Sequence, residues 1–128
     1  MNYGKLQRDI SRFRDSKSCA LVAVCALTKK PYEKVYDDFR DHGRKRGKPT
    51  PTWMTRQILA QYGYTLLPMI RIPKSVNQCE TKLAKSGRYL IQIRGHILAC
   101  VNGRVEDWTR GRKHRPIKIY RVVKKRRT

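Results

Sequence analysis

The chain has 128 residues, enough for one domain with its own core, and its 31 Lys and Arg against 9 Asp and Glu give a formal charge of +22. This excess predicts salt-sensitive attraction to polyanions such as nucleic acid, a ribosomal surface or an acidic protein. The sequence contains no apolar run long enough to cross a membrane and opens without the apolar segment of a signal peptide, so we expect a cytoplasmic protein with no membrane partner.

The most informative stretch is the apolar run from Cys19 to Leu27, which predicts a buried helix with Ser18 as its N-cap. Cys19 would then lie at a helix N-terminus, where the helix dipole favours a thiolate over a thiol. The remaining cysteines lie in apolar patterns without a C-x-x-C pair, and the histidines are scattered. We therefore expect no metal, no disulfide framework and no cofactor.

The next elements are predicted from proline, glycine and capping residues, which mark the ends of helices, and from the spacing of apolar residues. Pro31 opens a second helix that should end near Gly43, and Thr50-Pro51 opens a third that should end at Gly63. Residues 64–72 are predicted to be extended, with interruptions at Pro68 and Pro73, and a capping box at 75–78 opens a short helix that should end at Gly87. Four strands are then predicted, at 89–94, 96–101, 104–108 and 117–123. A single domain over residues 1–123 is expected, with a basic tail at 124–128.

A hairpin joins the second and third of these strands, because Asn102-Gly103 is typical of a two-residue turn. In that register Cys100 pairs with Val105, and strand alternation carries Asp107 to the same face as His96 and diagonal to it. A carboxylate in that position can orient one ring nitrogen of the histidine and leave the other to take a proton from a thiol. Trp108 should face the opposite way and act as a packing anchor.

The order of these features resembles the papain-like cysteine peptidases. A cysteine opens a buried helix, short helices follow, and Gly95-His96 and Asp107 lie on paired strands. In outline the chain is similar to the leader-peptide (double-glycine) peptidase domains of bacteriocin exporters and to small phage and bacterial proteins like them. The similarity extends from Ser16 to Val122 and includes the segments at 31–35 and 62–64.

The resemblance implies an α+β papain-like fold, with a helical N-terminal half and a central buried helix packed on a C-terminal antiparallel sheet. It implies a nucleophile at Cys19, a general base at His96 and an orienting acid at Asp107. An oxyanion would meet the backbone N–H of Cys19 and a further donor, for which Ser16 is the candidate. The expected reaction is cleavage of a peptide or isopeptide bond in a protein or peptide substrate, in a bacterial cytoplasm or, for a phage product, the host cytoplasm.

A second function is left open by the sequence. The glutamine that this family carries shortly before its cysteine is missing from positions 14–18, which favours a catalytically silent domain that binds nucleic acid, a ribosome or another polyanion. The oligomeric state is not indicated. The basic residues assigned to polyanion binding are Arg44, Lys45, Arg46, Lys48, Arg110, Arg112, Lys113, Arg115, Lys124, Lys125, Arg126 and Arg127.

Overall fold

The computed structural model describes Tyr3 and residues 17–125. Residues 17–125 form four helices and a five-stranded sheet, which confirms the predicted α+β class. The elements are α1 (Cys19–Thr28), α2 (Tyr32–Asp41), α3 (Thr52–Gln61), β1 (Tyr64–Pro68), α4 (Val76–Lys82), β2 (Arg88–Ile93), β3 (His96–Val101), β4 (Arg104–Val105) and β5 (Lys118–Lys124).

Helix α1 is the centre of the larger core. Its residues 20–27 are all buried, as its nearly uniform apolar sequence predicts, and it packs mainly on β3. Ser18 is at the predicted N-cap position, but its hydroxyl makes no capping hydrogen bond, and its backbone carbonyl accepts instead from Val22 N–H at 3.0 Å. The helix therefore owes its position to burial on both sides rather than to a side-chain cap.

The sheet is antiparallel throughout, in the order β1-β5-β2-β3-β4. One face packs on α1, and the other face forms a second core with α4. The predicted capping of α4 by Ser75 is confirmed, since its hydroxyl accepts from Gln78 N–H at 3.2 Å. Among the described residues, no helix is both long enough and apolar enough to cross a membrane.

The predicted end of α4 is wrong. Helix α4 ends at Lys82 rather than near Gly87, because Leu83 already has an extended ψ of 152°. A Cβ at Gly87 would come within 2.6 Å of the Tyr89 ring, so this glycine serves a close contact and does not end a helix. Strand β1 ends at Pro68, the first of the two prolines predicted to interrupt the extended segment at 64–72.

The β3–β4 hairpin has the predicted register, with Cys100 opposite Val105 and Val101 opposite Arg104. Its turn residues both have positive φ, 54° at Asn102 and 80° at Gly103, as a two-residue hairpin turn of this type requires. Strand β4 nevertheless ends at Val105, whereas the pattern predicted a strand to residue 108. This early end determines the geometry of the candidate site.

Candidate active site

A cleft of about 700 Å³ lies at the N-terminus of α1, and Cys19, His96 and Asp107 all line it. Helix α1 supplies Cys19, and the tight turn between β2 and β3 supplies His96, which is the first residue of β3. Gly95 makes this turn possible with a φ of 68°. The three residues singled out from the sequence thus meet in one place.

The histidine and the carboxylate are directly bonded. Since a carboxylate only accepts, His96 Nε2–H donates to Asp107 Oδ2, at 2.8 Å. The same oxygen accepts from Thr109 N–H at 3.1 Å and from the Thr109 hydroxyl at 2.6 Å. Both Asp107 and Thr109 are buried, so the carboxylate is fixed by hydrogen bonds in a site with little water. Thr109 was not predicted from the sequence.

Asp107 reaches the histidine by a route that differs from the predicted one. Glu106 N–H donates to the carbonyl of Ala99 at 2.9 Å, and the chain then turns away from the sheet, so Asp107 and Leu98 do not form the expected strand pair. The two hydrogen bonds from Thr109 to Asp107 close this turn locally, in competition with strand pairing.

The early end of β4 exposes the edge of β3 to the cysteine. Amide groups alternate in direction along an antiparallel strand, so Ile97 N–H points to the same edge as the carbonyl of Ala99. With no strand beside it there, Ile97 N–H faces the Cys19 side chain, and together with the Ala20 N–H at the start of α1 it helps to lower the pKa of that thiol.

These contacts favour a charged pair. Burial raises the pKa of the Cys19 thiol, but hydrogen bonding to His96, the Ile97 amide, the histidine charge and the Ala20 amide together hold that pKa below its usual value of 9.0. Burial lowers the pKa of His96, yet the bonds to Asp107 and then to Cys19 raise it to about 9. Because Nε2 is bonded to Asp107, Nδ1 is the ring nitrogen left for the sulfur. The arrangement favours a thiolate beside an imidazolium.

The other cysteines differ from Cys19 in this respect. Cys25, Cys79 and Cys100 are buried, and burial raises the pKa of Cys79 to about 11 and that of Cys100 to about 12. All four cysteines are free thiols. Cys19 is therefore the one cysteine whose surroundings favour the nucleophilic form.

The two predicted oxyanion donors are Cys19 and Ser16. Cys19 is the first residue of α1, where a backbone N–H has no acceptor within the helix, and it borders the cleft. Ser16, the second predicted donor, lies outside the described residues. Tyr3 was not predicted to contribute, yet it lines the cleft, and its backbone N–H donates to Glu106 Oε2 at 2.8 Å.

Arg44, predicted to bind polyanions, is buried instead, with 6% of its surface exposed. Its Nε donates to the Thr50 hydroxyl at 2.7 Å, and its Nη2 donates to the backbone carbonyl of Lys17 at 2.7 Å. Thr50 and Lys17 both line the cleft. Arg44 therefore joins one wall of the cleft to the segment two residues before Cys19, a role that its place in a run of charges concealed.

The remaining residues assigned to polyanion binding fall into distinct groups. Arg110 is exposed, but its Nε donates to Glu80 Oε2 at 2.8 Å in an ion pair. Arg112 lies over the Trp108 ring, 5.9 Å from its centroid. Arg126 and Arg127 lie outside the described residues. The others are exposed on the surface: Lys45, Arg46, Lys48, Lys113, Arg115, Lys124 and Lys125.

The expectation for Trp108 is wrong. It is 50% exposed, lines the cleft, and lies between two histidine rings, with centroids 5.3 Å from His96 and 5.5 Å from His114. Strand alternation, which predicted that it would face away from the site, no longer applies beyond Val105, where β4 ends. Trp108 is thus part of the cleft wall and not a packing anchor.

Comparison with protein-family models, curated proteins and solved structures found no match. Among residues 17–125 and Tyr3, no group of three or more His, Cys, Asp or Glu side chains is arranged to hold a metal ion.

Proposed function

We propose that the protein is a cysteine hydrolase that cleaves a peptide or isopeptide bond, with Cys19 as nucleophile, His96 as general acid and base, and Asp107 as the orienting carboxylate. The observation that carries the proposal is the meeting of Cys19, His96 and the buried Asp107 in one cleft, with His96 Nε2–H bonded to Asp107 and both His96 and its charge lowering the pKa of the Cys19 thiol. A buried structural cysteine has no need of such an arrangement. The papain-like architecture is part of the same proposal.

The chemistry follows from the donors and acceptors present. The Cys19 thiolate attacks the substrate carbonyl carbon, and the carbonyl oxygen becomes an oxyanion near the N–H of Cys19. Imidazolium Nδ1–H of His96 protonates the leaving amine as the C–N bond breaks, which leaves a thioester. His96, now neutral, accepts a proton from water as the water attacks the thioester, and the acid product leaves with the thiolate restored.

The experiment that tests this proposal is a digest of a proteome-derived peptide library by the wild-type protein and by Cys19→Ala, followed by mass spectrometry of new termini. We expect new termini with the wild type alone, and a marked decrease in their number with His96→Ala. Equal sets of termini from the wild type and Cys19→Ala would contradict a hydrolytic role for this thiol.

A companion measurement asks whether the folded protein favours the thiolate form of Cys19. The rate of Cys19 alkylation by iodoacetamide is followed against pH and compared with Cys19 in the urea-unfolded chain, because burial alone would make the other cysteines poor references. We expect the folded protein to react at lower pH than the unfolded chain, and His96→Ala to lose this advantage. If Cys19 in the folded protein reacted no faster at low pH than Cys19 in the unfolded chain, the result would argue against an activated nucleophile.

The second candidate function is polyanion binding without turnover, in the cytoplasm of a bacterium or a phage host. The observation that favours it is the charge of +22, together with a surface on which Lys45, Arg46 and Lys48 are exposed on one loop. It predicts binding to nucleic acid that weakens steeply with salt and is unaffected by Cys19→Ala. Tight salt-independent binding, or none, would contradict it.

A further inference from the structure

The wall of the cleft beside the triad is cationic. Arg94, at the tip of the β2–β3 turn, lines the cleft, and Arg112 stacks on Trp108, which lines it too. Among the described residues that line the cleft, Asp107 is the one carboxylate, and its charge is held by His96. A substrate entering the cleft therefore meets positive charge without a free negative charge beside it.

The loop that carries Arg112 and His114 is fixed in place. The carbonyl of Arg112 accepts from Asn77 N–H at 2.9 Å, and the carbonyl of His114 accepts from Val76 N–H at 2.9 Å, so both residues are tied to the start of α4. Arg110, on the same loop, differs from Arg112 and His114 because its charge is neutralised by an ion pair with Glu80 of α4. The loop that carries Arg112 beside Trp108 is thus held by the fold before any ligand arrives.

We propose that the cleft takes an acidic peptide, whose carboxylates contact Arg94 and Arg112 while its backbone or an apolar side chain lies against Trp108. The inference rests on the proposed hydrolase function, since a thiolate at the base of the cleft requires a ligand with an acyl carbonyl. That requirement favours a polypeptide over a nucleic acid, although both would be attracted by the same charges. Guanidinium groups suit carboxylates because they can bind them through two parallel hydrogen bonds.

The first test uses two alkylating agents of nearly the same size, neutral iodoacetamide and anionic iodoacetate. The ratio of their rates at Cys19, iodoacetate over iodoacetamide, is divided by the same ratio for the neutral thiol N-acetylcysteine amide. We expect a normalised ratio above one at low salt, and about a twofold decrease for each of Arg94→Gln and Arg112→Gln, the order of magnitude for removal of one solvent-exposed charge near a reacting anion. Arg121→Gln, an exposed position on β5 outside the cleft lining, is the matched control and should leave the ratio unchanged.

This design separates the inference from the function on which it rests. A fast iodoacetamide reaction with a ratio that does not respond to Arg94→Gln or Arg112→Gln would overturn the acidic-peptide proposal and leave the activated thiol intact. A Cys19 that reacts slowly with both agents would overturn both. An equal response in Arg121→Gln would assign the preference to the overall charge of the protein and would also overturn the proposal.

The second test uses peptides and measures how well each protects Cys19 from iodoacetamide. One peptide carries glutamates on both sides of a central Gly-Ala, and its partner carries glutamines at the same positions. We expect the glutamate peptide to protect at concentrations several-fold lower, and the difference to disappear in the double variant Arg94→Gln, Arg112→Gln. Protection by a single-stranded oligonucleotide but by neither peptide would refute the proposal in favour of a nucleic-acid ligand.

Discussion

Replacement of Asp107 by asparagine tests whether this carboxylate stabilises the thiolate–imidazolium pair of Cys19 and His96. The side chain keeps its size, and its amide oxygen still accepts from His96, but the negative charge 2.8 Å from Nε2 is lost. The pKa of His96 is raised from 6.5 to about 9 against the effect of burial. This difference corresponds to roughly 3 kcal/mol in favour of the imidazolium, because one pKa unit is worth about 1.4 kcal/mol.

Asp107 and Cys19 share this stabilisation, so the loss of one charge should remove on the order of half of it. We expect the pKa of His96 in Asp107→Asn to fall by about one to two pH units, since each unit corresponds to about 1.4 kcal/mol. The pKa of Cys19 should move in the opposite direction, upward, because the thiolate loses a positive neighbour. The pH range in which thiolate and imidazolium coexist therefore narrows from both ends.

Two measurements follow the titrations of His96 and Cys19 separately. Nitrogen NMR of the histidine rings across pH reports His96, with His42 and His114 in the same spectra as references, and iodoacetamide alkylation reports Cys19. Glu106→Gln is the matched control, because it removes a buried carboxylate from the adjacent position that is not bonded to His96. If Asp107→Asn left both titrations unchanged, or if Glu106→Gln moved them equally, the direct bond would not be the cause and the reasoning would fail.

Three further substitutions have defined outcomes. Thr109→Val removes the hydroxyl that donates to Asp107 at 2.6 Å and should lower the unfolding free energy by about 1–2 kcal/mol in urea titrations, with a smaller rise in the pH of Cys19 alkylation than Asp107→Asn gives. Arg44→Met should cost about 1–3 kcal/mol in the same assay, because it leaves two acceptors without their donor, and should slow alkylation. Asn102→Val places a β-branched residue at a φ of 54° and should cost about 1–2 kcal/mol by thermal unfolding, whereas Asn102→Gly should be nearly neutral; equal effects would refute the turn argument.

The parts of the site that could be predicted depend on local signals. The apolar run predicts α1 and places Cys19 at its start. Asn102-Gly103 determines the hairpin register that brings Asp107 towards His96. Both signals act over fewer than a dozen residues, where helix burial and turn conformation follow from residue type. Asp107 was placed near His96 for a reason that was only partly right, since it arrives through a turn and not along a strand.

The expectation for Trp108 was wrong because β4 ends at Val105, three residues before it. Val105 N–H donates to Glu80 Oε2 on α4 at 2.7 Å, so a side chain, not a further strand, satisfies the outer edge of β4. Thr109 then completes the turn at Asp107. Strand alternation holds only while the ladder continues, and nothing within residues 104–108 indicates that the turn closed by Thr109 will replace it.

Arg44 shows that a run of charged residues in the sequence does not reveal which of its members is buried. In the sequence it is one cation in the run 44–48, and such a run is typical of a solvated, ligand-binding surface. Its burial depends on the carbonyl of Lys17, 27 residues away, which accepts its hydrogen bond and so makes a buried guanidinium tolerable. The two proposed functions therefore both depend on this loop. Neutralisation of the whole run would disturb the cleft as well as the surface, so binding must be mapped at Lys45, Arg46 and Lys48 with Arg44 left in place.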